Sequence, residues 1–488
     1  MTRTPDAPSR FSPKNLGRRE FLQSLALSAL ALSTPGMASG AVDQRPNIII
    51  IITDDLGYCD TSLYGCDRHP TPNLKSLADS GVLFTDGYVT AAVCSPSRAG
   101  LLTGRYQQRF GHEFNTGPMR RDLSEGLGLP LSEVTLADTL KKAGYATGMV
   151  GKSHLGMQPQ FSPLKRGFDE YFGFTFGGSI YMNPQDPEAV TLSGQWGLPK
   201  SITSRGDNNP IYRYNQPVEE KEHLTDAFSR EAVNFIDRHK KHPFFLYLAY
   251  NAPHTPYQTT KKYYDRFPHI KDEAKRIYAA MINQLDEGIG SVLTKLKIEG
   301  LDKNTLLFFI SDNGCANYTQ ACDNLPLRFG KISYFEGGIR IPFVASCPSL
   351  LPAGQVYREP VSTLDIFPTV VTLAKGEMPS PKRDGIDLMP YLKGKKGSPH
   401  DYLFWRSGES LAVRSGDWKL FRYMDQYRLY HLKQDLGEQK DQSVSEPAVF
   451  KRLKETLAEW ESELVPPRWS PANNVDFELD GVKMKLRV

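Results

Sequence analysis

The chain has 488 residues, 40% hydrophobic and 23% charged, which is ordinary for a globular protein and more than one average domain holds. Its 59 basic residues against 55 acidic ones leave a net charge of +4, too slight a surplus to argue for a nucleic-acid partner. Any preference for anions must therefore be local.

Residues 1–41 read as a targeting segment. Asn15-Leu16-Gly17-Arg18-Arg19-Glu20-Phe21-Leu22 resembles a twin-arginine export signal, and Ala38-Ser39-Gly40 supplies small residues for cleavage near Ala41. The apolar run from Phe21 to Leu32 is interrupted by Gln23, Ser24 and Ser28 and is too short to span a bilayer. No later stretch is long and apolar enough to cross one. The expectation is a periplasmic or secreted protein, exported by the twin-arginine route, with no stable membrane insertion.

The folded part opens at Arg45-Pro46-Asn47, followed by five isoleucines (Ile48–Ile52) and Thr53-Asp54-Asp55. An unbroken β-branched run predicts a parallel strand covered on both faces, with Asp54 and Asp55 at its carboxyl end, the edge where open α/β sheets bind ligands. Adjacent acids at a buried strand end repel unless a cation or a helix start lies beside them, and a hard metal is the economical explanation.

Cys94-Ser95-Pro96-Ser97-Arg98-Ala99-Gly100-Leu101-Leu102-Thr103-Gly104-Arg105 predicts a helix whose first turn starts at Cys94, with Ser95 and Ser97 as caps and Pro96 tolerated early. Arg98, four residues on, returns to the Cys94 face and can hold charge there. Farther along, Tyr145 to Gly156 predicts a short strand breaking at Gly151, with Lys152 and His154 on one side of an extended chain. Phe244 to Ala249 predicts a buried strand leading to His254, which Pro253 and Pro256 frame, and a rigid imidazole suits proton donation. Thr305 to Ser311 is a second apolar strand ending in acid, at Asp312-Asn313, with Gly314 allowing a sharp turn. Asp54, Asp55, Asp312 and Asn313 form an all-oxygen set, which favours calcium or magnesium over zinc.

The Cys94–Arg105 stretch resembles the signature of the type I, formylglycine-dependent sulfatases, a branch of the alkaline phosphatase superfamily: Cys-x-Pro-x-Arg followed by Leu-x-Thr-Gly-Arg. The resemblance extends from about Pro46 to about Trp460. It implies an α/β fold with a large central mixed, mostly parallel sheet flanked by helices, and a smaller C-terminal α+β domain carrying a short antiparallel sheet. It also implies that Cys94 is oxidised to formylglycine (3-oxoalanine) by a maturase during synthesis, and that Asp54, Asp55, Asp312 and Asn313 hold one Ca2+, with Mg2+ as the other hard ion. One hydroxyl of the hydrated aldehyde would attack sulfur while His254 protonates the leaving alcohol. His154 would then take the second hydroxyl's proton, with Lys152, Lys331 and Arg98 stabilising anionic oxygens. Around Lys331 the sequence departs from the family wording, with Phe329 for a glycine and Ile332-Ser333 for Gly-Thr.

Domain limits of 42–392 and 399–488 follow, joined by the Lys/Gly-rich segment from Leu392 to Ser398. Ser362-Thr363-Leu364-Asp365 predicts a helix start. Leu411 to Arg422 and Tyr427 to Leu432 predict strands, covered by an amphipathic helix from Pro447 to Leu464. Of six cysteines, Cys59 with Cys66 and Cys315 with Cys322 are close enough to pair within loops or across them, and Cys347 is the fifth once Cys94 is converted.

The segment from Gly177 to Glu222 is expected to lie as loops over the pocket mouth. Tyr181, Trp196, Tyr212 and Tyr214 would suit sugar rings there, and Arg205, Arg213 and His223 further sulfates or uronates. The chain most resembles sulfatases acting on sulfated carbohydrates, algal polysaccharides or glycosaminoglycans. A phosphatase or phosphodiesterase of the same superfamily would instead offer a Ser or Thr nucleophile with histidine-rich zinc ligation. A non-catalytic glycan-binding protein leaves Cys94, Arg98, Lys152, His154 and His254 without a reason to occur together.

Overall fold

Ile48 to Ile52 form the middle of the molecule's main sheet, every one of them buried, with Ile48, Ile50 and Ile52 facing one core and Ile49 and Ile51 the other. The computed structural model describes residues 1, 45–65, 68–198, 210–479 and 482–487. The expected export signal, Cys66 and Arg205 lie outside the described residues.

Among the described residues ten strands build this sheet: β1 (Asn47–Thr53), β2 (Val82–Phe84), β3 (Ala146–Lys152), β4 (Glu170–Phe174), β5 (Ile211–Arg213), β6 (Gln216–Val218), β7 (Phe244–Ala249), β8 (Thr305–Ser311), β9 (Phe343–Ser346) and β10 (Gln355–Tyr357). Their order is β10-β2-β9-β8-β1-β7-β3-β4-β5-β6. The central five, β8-β1-β7-β3-β4, are parallel, and antiparallel strands flank them on both sides. Helices Pro72–Asp79, Leu224–His239 and Glu273–Ile298 cover one face, while Cys94–Thr103, Leu136–Lys142 and Ile366–Leu373 cover the other. This is the mixed, mostly parallel α/β fold the sequence leads one to expect.

Residues 45–488 form one unit. Its C-terminal part contains the antiparallel sheet Leu403–Ser407, Ser410–Ser415, Trp418–Tyr423 and Gln426–His431, with helix Pro447–Ser462 against it. The first of these strands is additional to the runs read from sequence, and so is a terminal hairpin, Asn474–Leu479 with Val482–Arg487. Apolar and charged residues alternate along that hairpin, the period-two signal that could have revealed it. At the expected helix start, Ser362 and Asp365 form a capping box ahead of helix Ile366–Leu373.

Two local expectations need correction. Strand β3 does not break at Gly151 but runs through it to Lys152. Residues 211–218 do not lie over the pocket as loops: they pair as β5 and β6 on the edge of the main sheet, because Ile211 can be buried there. Among the described residues no helix is long and apolar enough to cross a membrane.

Candidate active site

Parallel pairing brings five strand ends together, and register decides which residues meet. Thr53 lies opposite Ser311, Ile52 opposite Ala249, and Gly151 opposite Ala249. Asp54, Asp312 and Lys152 therefore emerge at one edge, with Asn251 to His254 following β7 beside them. The connection after β8 is tight. A side chain on Gly314 would put its Cβ 1.7 Å from the Gly337 carbonyl oxygen, so it is this close approach, not a left-handed turn, that requires glycine.

Cys94 begins the buried helix Cys94–Thr103, and its Sγ lies 3.3 Å from Asp54 Oδ1. The helix N-cap is Val93, so the expected caps do not act as caps. Ser95 instead donates its Oγ hydrogen to the His154 carbonyl (2.7 Å) and meets His112 Nε2 (2.7 Å), while its N–H donates to Asn115 Oδ1. His112 and Asn115, which no motif singled out, thus tie the Cys94 helix to its surroundings.

Lys152 Nζ donates to Asp54 Oδ2 at 2.6 Å, and Lys331 Nζ to Asp55 Oδ2 at 2.8 Å. Arg98 Nε lies 2.9 Å from Asp312 Oδ2, and its guanidinium also donates to the Lys152 carbonyl at 3.0 Å. Its main partner is thus a carboxylate, which it fixes in place. Asn313 Nδ2 donates to Asp55 Oδ1 at 2.7 Å, leaving Asn313 Oδ1 buried without a hydrogen-bond partner among the described residues. Asp55 N–H donates to Asp312 Oδ1, and Asp55 itself adopts a left-handed backbone, φ 64°.

The charges are unevenly matched. Burial, with Cys94 adding to it, raises the Asp54 pKa, and burial beside Asp54 pushes Asp312 up to about 6. Burial would raise Asp55 too, but Lys331 and His254 outweigh it and hold it at about 2. Three carboxylates and an unpartnered amide oxygen, two of the acids held above their usual range, are the donor set a hard divalent cation fits. Burial also opposes ionisation of the Cys94 thiol, yet Lys152 and Lys331 bring it down to about 7.

The two histidines are set apart. Burial, reinforced by Lys152 and Arg98, keeps His154 well below the usual histidine range and therefore neutral. Burial disfavours the charged form of His254 as well, but Asp54 and Asp55 outweigh it and raise its pKa. The Thr255 carbonyl accepts from His254 Nδ1 at 2.6 Å, so Nε2, 3.7 Å from Asp55 Oδ2, is the nitrogen that gains and loses a proton. His154 does not continue the extended chain: it follows the end of β3 with φ 54°. Gly177 presses on its ring, where an added Cβ would stand 2.9 Å from Nε2.

Phe329 and Ile332, at positions where the family resemblance leads one to expect glycine, have φ values of 58° and 82°. Both thus keep a glycine-like backbone, and Lys331 between them still reaches Asp55.

Of the sugar-binding candidates, Arg213, Tyr214 and His223 are not drawn into this cluster. Arg213 is held by both oxygens of Glu231, Tyr214 bonds through its N–H to the Tyr171 carbonyl, and His223 caps helix Leu224–His239. Their places on the sheet edge and at a helix start explain why. A disulfide joins Cys315 and Cys322, with Cα atoms 6.4 Å apart, while Cys94 and Cys347 are free thiols.

This arrangement has close relatives. Ps i-CgsB, solved in complex with k-i-k-neocarrahexaose, matches with a TM-score of 0.79 and 36% identity, over 87% of this chain and 94% of that one. N-acetylgalactosamine-6-sulfatase of Homo sapiens is 36% identical over 400 residues, spanning 79% of this chain and 73% of the relative. Arylsulfatase A of Bos taurus is 36% identical over 413 residues, 80% and 78% of the two chains. Residues 46–376 match the Sulfatase family. With Cys94, the four oxygen-bearing side chains and the paired lysines and histidines all inside that span, the chain belongs to the sulfatase family and is a sulfuric ester hydrolase.

Proposed function

We propose that the protein hydrolyses O-sulfate esters of a sulfated carbohydrate, with formylglycine at position 94 and one bound Ca2+. The observation that carries this reading is the position of Cys94 Sγ, 3.3 Å from Asp54 and at the start of a buried helix, with Lys152 and Lys331 as its strongest positive neighbours. The sugar preference is supported by the relatives, which are named for N-acetylgalactosamine 6-sulfate and for a complex with a neocarrahexaose.

Here the Cys94 thiol stands in for the oxidised side chain, whose hydrate would supply the oxygen that attacks sulfur. A cation held by Asp54, Asp55, Asp312 and Asn313 would polarise sulfate oxygens and take over neutralisation of the acids, leaving Lys152 and Lys331 for the anion. Arg98 keeps Asp312 oriented. His254, protonated at Nε2, gives its proton to the departing sugar hydroxyl, and neutral His154 accepts one as sulfate is expelled. Because residue 94 is 2% exposed, oxidation by the maturase has to precede folding. The reading includes twin-arginine export to the periplasm or beyond, which requires that oxidation to occur in the cytoplasm.

The test is sulfate release from N-acetylgalactosamine 6-sulfate and carrageenan oligosaccharides after co-expression with a maturase, with mass spectrometry of the peptide containing residue 94. Formylglycine with sulfate release, lost in Cys94→Ala, is the expected result. An unmodified thiol in a fully active enzyme would sink the proposal.

A further inference from the structure

We propose that Trp196 and Tyr318 form an aromatic wall for the pyranose ring that carries the scissile sulfate, on the leaving-group side of the site. The inference rests on the sulfated-carbohydrate reading and names the part of the pocket that recognises the sugar rather than the sulfate.

The two rings come from distant parts of the chain, yet their centroids are 5.2 Å apart, with planes at 51°. Tyr318 is 42% exposed and Trp196 half-buried, so the pair forms an open corner of two aromatic faces. One residue anchors both sides. Tyr257 donates its N–H to the Trp196 carbonyl at 3.3 Å, and its Oη lies 2.8 Å from Oγ1 of Thr319, next to Tyr318.

Tyr257 is three residues beyond His254, the proton donor to the leaving alcohol. The stretch leading into His254 is held by Tyr181, whose Oη lies 2.6 Å from the Asn251 carbonyl oxygen and 2.8 Å from that of His254, its one hydrogen shared between them. The wall is therefore built on the same support as the group that must touch the sugar oxygen.

Tyr318 is also tied to the sulfate side. It lies in the short turn Asn317–Thr319, inside the loop closed by the Cys315–Cys322 disulfide, and the Cys315 carbonyl accepts the Lys331 N–H at 3.0 Å. Burial first, and then the charges of Asp55 and Cys94, raise the pKa of its hydroxyl against the opposing pull of Lys331. A sulfate between Lys152 and Lys331 thus leaves its esterified sugar between His254 and these rings. The C–H face of a pyranose is apolar while its rim is hydroxylated. An aromatic corner open to water on one side matches that division, giving apolar contact without burying unpaired hydroxyls.

The experiment compares Trp196→Ala, Trp196→Phe, Tyr318→Ala and Tyr318→Phe with wild type, all carrying oxidised residue 94 and checked for unchanged melting. The substrates are N-acetylgalactosamine 6-sulfate and neocarratetraose sulfate, and binding of each sugar is also measured in the Cys94→Ala background. Each alanine variant is expected to raise KM for the cleaved sugar about tenfold and to weaken binding in parallel, with kcat within about threefold of wild type. The phenylalanine variants keep a ring and should stay within about threefold in KM. Unchanged KM in either alanine variant, or phenylalanine variants as impaired as the alanine ones, overturns the wall while leaving the enzyme's activity intact. Wild-type protein that releases sulfate from neither sugar overturns both the wall and the substrate reading beneath it.

Discussion

Lys419 Nζ lies 2.9 Å from Glu336 Oε1, both side chains fully shielded from solvent, and so joins the C-terminal sheet to the turn that follows Lys331. The same ammonium is 2.9 Å from Glu438 Oε1, while Glu438 Oε2 accepts the Glu336 N–H. The Glu438 carbonyl in turn takes a hydrogen from Arg328, three residues before Lys331. The loop that presents Lys331 is thus held from the C-terminal part of the chain, and substituting this network should act on a site it never touches.

Lys419→Met removes the shared cation and leaves two buried carboxylates facing each other. Losing one partner of a buried ion pair typically costs about 3–5 kcal/mol. Urea unfolding should show a loss of that order, with partial recovery in the double variant Lys419→Met/Glu438→Gln, where one of the stranded charges is gone. A single variant as stable as wild type would show that the network contributes nothing.

Ile332 holds φ at 82°, where a β-branched residue is strained. Such strain costs about 1–3 kcal/mol, and a glycine gives back part of the relief through its freer unfolded state. Ile332→Gly is expected to gain about 1 kcal/mol in unfolding experiments. The Lys331 contact to Asp55 should survive, so sulfate release should stay near the wild-type rate. A destabilised variant would mean that the isoleucine side chain contributes more packing than its backbone costs.

Asn313 Oδ1 and the three carboxylates are the proposed cation ligands. After treatment with a chelator, calcium should raise the melting temperature of the wild-type protein, because an ion that binds only the folded state stabilises it by mass action. Asn313→Ala should need a higher calcium concentration for the same shift, and Asp55→Asn a higher one still. If calcium and magnesium both leave the wild-type melting temperature unmoved, the oxygen cluster is not a cation site.

His254 is raised in pKa by Asp54 and Asp55, after burial has acted the other way, so its charged form persists to higher pH than in an ordinary histidine. If it protonates the leaving group, His254→Ala should cost far more with a sugar sulfate, whose alkoxide leaves poorly, than with 4-nitrophenyl sulfate. General acid catalysis typically supplies 10²–10⁴-fold, so a drop of about a thousandfold in kcat on the sugar against about tenfold on the aryl ester is expected. With wild type on the sugar substrate, kcat should fall as pH rises through the His254 pKa, and His254→Ala should lose that limb of the profile. Equal losses on the two substrates would remove His254 from the proton-donor role.

The chemistry was legible in the sequence because the reacting groups sit beside strong local signals. The isoleucine run fixed β1 and put Asp54 and Asp55 at its end, and the apolar run at 305–311 did the same for Asp312 and Asn313. The Cys94–Arg105 wording carried the proposed nucleophile. What local pattern could not convey was pairing across distance. Arg98 brings its charge near residue 94 as its spacing suggests, but its direct partner is Asp312, 214 positions away. Ser95 looked like a cap and instead holds the His154 carbonyl. Arg213 looked free for substrate and is held by Glu231, since a hairpin that can add to a sheet edge buries Ile211 there. The sequence by itself determined which atoms are available and which strand ends carry them. Only the tertiary structure decided which charges neutralise each other, because strand register and loop closure bring together residues hundreds of positions apart, and in a buried site an acid takes as partner whichever cation the fold delivers within about 3 Å.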